Sequence, residues 1–177
     1  MRSGGRELPG RNWPAPVHPL WVRWLAWRNE TPTRQPSEMG AGVWVGGVPS
    51  RRRWEILRAR GVTTVIGLTA ELPPPAWLAN AQAALWLPVV DRLPPSDEQM
   101  HFAIQAANEA ERRRDGVLFY CGSGLGRAPT VWVAWRLSLG ERLGDLLGHL
   151  VSARPIADPT LPQREALNRW SDVRSRC

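Results

Sequence analysis

The chain has 177 residues, 43% apolar and 22% charged, which excludes general disorder and fibrous repeats and fits one domain with a buried core. All 23 basic residues are Arg; against 16 acidic residues they give a net charge of +7, which fits an anionic substrate or partner but follows equally from codon bias toward Arg. Cys121 and Cys177 are the two cysteines, too few for a disulfide framework, and this usage fits a reducing compartment. The apolar stretch from Val17 to Trp27 is broken by His18, Pro19 and Arg23 and lacks a small-residue cleavage site, so no signal peptide is expected. No run approaches the ~20 apolar residues of a bilayer-spanning helix, and the expectation is a soluble, cytoplasmic protein.

In chain order, residues 1–40 read as a leader punctuated by Pro9, Pro14, Pro16, Pro19, Pro32 and Pro36. Within it Trp21, Trp24 and Trp27 are expected to clamp the core, in preference to binding a membrane surface or partner. The domain proper is expected over residues 41–177. Val43–Val45 reads as a strand, and residues from Ser50 through Trp54, Leu57 and Arg60 as a helix closed by Gly61. The β-branched run Val62–Leu68 predicts a buried strand, Pro73–Trp77 a helix start, and Leu85–Val90 a further strand. Ser96 with Gln99 forms a capping box for a long helix ending in the basic run Arg112–Arg114. Val117–Tyr120 is a continuous apolar strand, Pro129–Leu139 a helix, and two more helices follow around Leu143–Val151 and Leu167–Val173. Alternating strands and helices predict an α/β fold with a single central, largely parallel sheet flanked by helices. Trp44, Trp54, Trp77, Trp86, Trp132, Trp135 and Trp170 fall at apolar positions of these elements and are expected to pack in the core. His18, His101 and His149 show no metal-ligand spacing, and no metal site is expected.

The segment Tyr120-Cys-Gly-Ser-Gly-Leu-Gly-Arg-Ala-Pro-Thr130 lies where a buried strand turns into a helix. Gly122, Gly124 and Gly126 let the backbone turn sharply and aim successive N–H groups inward, with Ser123 and Leu125 between them, and the following helix adds the positive end of its dipole. An oxyanion would sit there. The same donors stabilise a thiolate at Cys121, and the Arg127 guanidinium can hold two phosphoryl oxygens at once.

This segment resembles the signature of the cysteine-dependent protein tyrosine phosphatase superfamily in its dual-specificity branch, and Gly-Leu-Gly-Arg-Ala-Pro is similar to the loop of the phosphatases of regenerating liver. Val43-Trp-Val-Gly-Gly, Gly61–Leu68 and Pro88-Val-Val-Asp91 extend the resemblance to about residues 42–170. It implies a hydrolase of phosphomonoesters, with phosphotyrosine, phosphoserine or phosphothreonine in proteins as the favoured substrate. Cys121 accepts the phosphoryl group, an acid protonates the leaving oxygen, water releases phosphate, and no metal or cofactor is required. Asp91, 30 residues before Cys121, is the favoured acid and Asp97 its competitor, although Asp97 and Glu98 also suit the first turn of a helix. Gln163 matches a late glutamine that positions water in relatives, or is a surface helix residue. Tyr120 stands where the family usually carries His, and Ala128 where it commonly carries a hydroxyl that assists the departing thiolate, so slower turnover is expected. The rival readings are an RNA 5′-phosphatase of the same superfamily, suggested by the arginines, and a weakly active phosphate-binding module; nucleic acid is not the favoured partner.

Overall fold

The computed structural model describes residues 35–174, so the leader's Trp21, Trp24 and Trp27, and Cys177, lie outside the described residues. The elements are β1 (Ser37–Gly40), β2 (Val43–Gly47), α1 (Arg51–Ala59), β3 (Val62–Gly67), a short 3₁₀ turn (Ala76–Asn80), β4 (Ala83–Trp86), α2 (Asp97–Arg113), β5 (Gly116–Cys121), α3 (Arg127–Ser138), α4 (Leu143–Ala153) and α5 (Leu161–Arg174). Among the described residues they build a five-stranded sheet in the order β1-β2-β5-β3-β4. β1 runs antiparallel to β2, and the other pairings are parallel. The expected α/β sheet, largely parallel and covered on both faces, is therefore present. The parallel register places Gly47 beside Cys121 and Gly67 beside both Tyr120 and Trp86. Strands that run the same way end at the same edge, and that edge is where this topology leaves a ligand crevice.

Strand periodicity decides what each face receives. Along β5, Val117, Phe119 and Cys121 enter the large core with Met100, Ile104, Trp132, Trp135, Leu146 and Leu150, under α2 to α5. Leu118 and Tyr120 point the other way and join Trp44, Trp54, Leu57, Val62, Val65 and Leu78 under α1 and the 3₁₀ turn. Tyr120 and Cys121 are chain neighbours on opposite faces. Full burial of a side chain such as Leu118 or Phe119 stabilises by roughly 1.5–3 kcal/mol.

The helix boundaries follow their chemistry. The Ser50 hydroxyl accepts from Arg53 N at 3.3 Å and caps α1. Ser96 and Gln99 form the anticipated capping box at the start of α2, with bonds of 3.2 and 3.0 Å, and Gln99 also ties the helix to the Pro88 carbonyl. Four expectations need correction. Residues 87–90 are not strand: β4 is Ala83–Trp86, because prolines at 88, 94 and 95 suit a loop and β3 stops at Gly67 opposite Trp86. The Pro73–Trp77 segment opens only the five-residue 3₁₀ turn. Ser37–Gly40, inside the stretch read as leader, forms the antiparallel edge of the sheet; a strand so short and polar carries no alternation signal. Trp77 and Trp86 are exposed at 37% and 44%, and their indole N–H groups donate to the Pro49 and Thr69 carbonyls. An amphipathic ring can pin a loop from the surface.

Candidate active site

β5 delivers Cys121 to the crevice edge, residues 122–126 form the turn, and α3 begins at Arg127. Gly124 adopts φ +71°, and a Cβ there would overlap the backbone of Gly46 and Gly47, so only glycine fits between the turn and the end of β2. This close approach turns the Gly124 N–H toward Cys121, where it donates to Sγ at 3.3 Å. The turn is braced from outside. Asp158 N donates to the Leu125 carbonyl at 2.7 Å, and Arg154 donates to the Gly124 and Ser123 carbonyls at 2.7 and 3.3 Å.

Arg127 is buried, with 3% of its surface exposed, in the first turn of α3. Its Nη1 donates to the Leu68 carbonyl at 3.0 Å, the Val89 carbonyl at 2.8 Å and Glu71 Oε2 at 2.7 Å. Nη2 donates to Glu71 Oε1 at 2.6 Å and pairs with Asp91 Oδ1 at 3.0 Å. Nε has no partner among the described residues. The guanidinium is thus anchored on one side by Glu71 and two carbonyls, while Nε, together with Nη2 once Asp91 moves aside, offers a two-donor edge for an oxyanion. Burial works against its charge, but the Glu71 hydrogen bonds, the sulfur of Cys121 and the Asp91 carboxylate outweigh it and hold its pKa above the ordinary value. The same hydrogen bonds from Arg127 hold the Glu71 carboxyl below its ordinary value.

The crevice is an open cleft of about 680 Å³ whose lining includes Glu71, Asp91, Cys121, Arg127, Asp158 and Gln163. Most of the residues singled out in the sequence are therefore together: Cys121, the turn 122–126, Arg127 and Asp91. Asp97 is not part of this lining; it occupies the exposed first turn of α2, where its carbonyl faces His101 Nδ1. Gln163 is fully buried and not on a helix surface; its Oε1 accepts from Thr160 N at 2.9 Å and its Nε2 donates to the Leu93 carbonyl at 3.0 Å. Both ends of its amide are committed to the start of α5 and the loop after Asp91. Thr130 directs its hydroxyl to the Gly126 carbonyl at 2.9 Å, and Ala128 is fully buried in the large core. Tyr120 packs its phenol over Gly67, and burial pushes its pKa up to about 12. Sequence reasoning missed Glu71 and Arg154. The signal for Glu71 was a carboxylate just past the end of a parallel strand, at the crevice edge.

A parallel sheet that carries a cysteine into a glycine turn, with an arginine opening the next helix, defines the class of cysteine-loop phosphatase folds. The family model described as the Swiss Army Knife protein DSP-PTPase phosphatase domain matches residues 47–140, and the chain belongs to that family. Dual specificity protein phosphatase 1 of Arabidopsis thaliana is 28% identical over 129 residues, which are 70% of this chain and 63% of that relative, so the match spans under two thirds of its length. Among solved structures, Tk-PTP in its active form aligns with TM-score 0.69 and 30% identity over 78% of this chain and 97% of that chain. Human DUSP28 aligns with TM-score 0.71 and 22% identity over 80% and 95%, a likeness of fold.

Proposed function

We propose that this chain hydrolyses phosphomonoesters through a phosphocysteine at Cys121, with phosphorylated tyrosine, serine or threonine in proteins as its substrate class. The observation that carries the reading is the pairing of Cys121 Sγ, held by Gly124 N at 3.3 Å, with a buried Arg127 whose Nε has no partner among the described residues. A phosphoryl group in the turn would receive the backbone N–H groups and the Nε edge of Arg127, and would displace Asp91 from Nη2. Sγ then attacks phosphorus, the phosphorus–oxygen bond to the leaving group breaks, and Asp91, freed from the guanidinium, supplies the proton to the departing oxygen. In the second step water attacks phosphorus and gives a proton back to the Asp91 carboxylate, the sulfur–phosphorus bond breaks, and inorganic phosphate and the Cys121 thiolate are released. Gln163, with both amide ends engaged, serves by holding the Asp91 loop through Leu93.

The test is a panel of phosphopeptides, aryl phosphate, phosphoinositide and 5′-phosphorylated RNA, with Cys121→Ser and Arg127→Ala alongside the wild type. Cys121→Ser is expected to abolish hydrolysis and keep vanadate or phosphate binding, whereas Arg127→Ala loses both. Asp91→Asn should slow alkyl phosphates by roughly 10²- to 10⁴-fold and aryl phosphates much less. Vigorous turnover by Cys121→Ser would overturn the reading, and a preference for the RNA that collapses with added salt would move the substrate class to nucleic acid.

A further inference from the structure

Arg154 follows α4, in a loop that the catalytic reading does not use, yet it is the most deeply buried arginine among the described residues, with 1% of its surface exposed. On one side Nε donates to the Gly124 carbonyl at 2.7 Å and Nη2 to the Ser123 carbonyl at 3.3 Å. On the other, Nη1 donates to the Gln35 carbonyl at 2.9 Å and the Ser37 hydroxyl at 3.1 Å. The guanidinium therefore clasps two separate pieces of chain, the phosphate turn and the entry to β1. The same pieces are stacked through glycines: a Cβ on Gly46 would overlap Pro36, and one on Gly124 would overlap Gly46, Gly47 and the Arg154 guanidinium. Peptide groups are rigid, so a carbonyl drawn outward fixes the N–H of the next residue on the opposite side.

We propose that Arg154 is a positioning residue for phosphate binding: by drawing the Ser123 and Gly124 carbonyls away from the cleft, it keeps the following N–H groups of the turn facing the oxyanion, with Gln35 and Ser37 as its fixed anchor. A guanidinium suits the task because its planar fork reaches carbonyls on two sides at once, which a lysine ammonium cannot reproduce. Burial pushes its pKa down to about 10, which leaves it charged at neutral pH beside the sulfur of Cys121. The inference rests on the phosphate-turn reading above.

The experiment measures vanadate affinity by isothermal titration on the full chain, with melting temperature as a separate readout. Arg154→Lys should weaken vanadate by about 10- to 150-fold, the worth of one charge-assisted hydrogen bond, and more than it weakens the fold. Arg154→Met should weaken it further, so that Lys recovers part of the loss. Ser37→Ala removes one anchor at the far end and should cost about 2- to 12-fold, with Cys121 and Arg127 untouched. Folded Arg154→Lys with wild-type vanadate affinity would overturn the proposal, because a merely structural arginine would change melting alone. If Arg154→Lys does not fold, Ser37→Ala decides, and unchanged affinity there overturns it. Wild-type protein that binds no vanadate would overturn the phosphate-turn reading itself, a result distinct from variants that bind as well as wild type.

Discussion

Two carboxylates share one guanidinium, and their exposure separates their roles. Glu71 bonds both Nη atoms of Arg127, whereas Asp91 reaches only Nη2 from a side chain that is 69% exposed and free to leave. Because Arg127 lowers the Glu71 pKa below its ordinary 4.5, the pair's contribution to stability is fully present above that value and is lost as pH falls through the folded value. The melting temperatures of wild type and Glu71→Gln should differ by a small constant amount from pH 7 down to about 4.5 and converge below it. A gap that persists unchanged at pH 3 would show that the carboxylate charge is not what the guanidinium uses. Ala128 gives a second residue-scale prediction. Thr130, the nearest candidate along the chain for the missing hydroxyl, spends its proton on the Gly126 carbonyl, so under the proposed mechanism thiolate departure would lack that help. Rapid mixing with an aryl phosphate should show a burst near one equivalent, and Ala128→Ser should raise the steady rate by about 10- to 150-fold with the burst rate nearly unchanged. No burst and no gain would place the slow step elsewhere.

At the scale of elements, α1 stands out for its first turn: Arg51, Arg52 and Arg53 occupy it and no acidic residue does, so three positive charges face the positive end of the helix dipole. The Ser50 cap, the Arg51–Glu55 pair at 3.3 Å and the burial of Trp54 and Leu57 compensate. Arg52→Glu should therefore raise stability by about 0.3–1 kcal/mol at low ionic strength, read from denaturant unfolding, and the gain should shrink with salt. A loss would mean that Arg52 makes an attraction stronger than the dipole's repulsion. α2 shows the opposite arrangement, with Asp97 and Glu98 at its start and Arg112 and Arg113 at its end, and for that reason its boundaries were legible in the sequence. β4 was misplaced because Leu85–Val90 is apolar throughout, and apolarity by itself does not say where pairing ends; the register with β3 does. β1 was missed because its pairing with β2 is the whole of its definition, and its four residues carry no pattern.

Across the whole molecule, the site was legible where it is local and illegible where it is assembled. Residues 121–127 are contiguous, and glycine spacing exposes their geometry directly. Glu71 and Arg154 reach the same turn from 56 and 30 residues' separation, and in a chain with 23 arginines nothing local marks Arg154 as the buried one. Arg127 has a consequence of its own. Its guanidinium closes off the carbonyls of Leu68 and Val89, so the residue that would grip substrate also ties together the chain leaving β3 and the loop after β4. An anion that engages Nε and Nη2 would bind the native state and find no such site in the unfolded chain, and mass action then makes it a folding ligand. At 100 times its dissociation constant it adds about 2.7 kcal/mol to the unfolding free energy. With a melting shift of about 2–4 °C per kcal/mol for a chain of this size, phosphate or vanadate should raise the wild-type melting temperature by several degrees and leave Arg127→Ala unmoved. Saturation with substrate would then lengthen the lifetime of the folded enzyme, so that an idle molecule is cleared by proteolysis sooner than a working one.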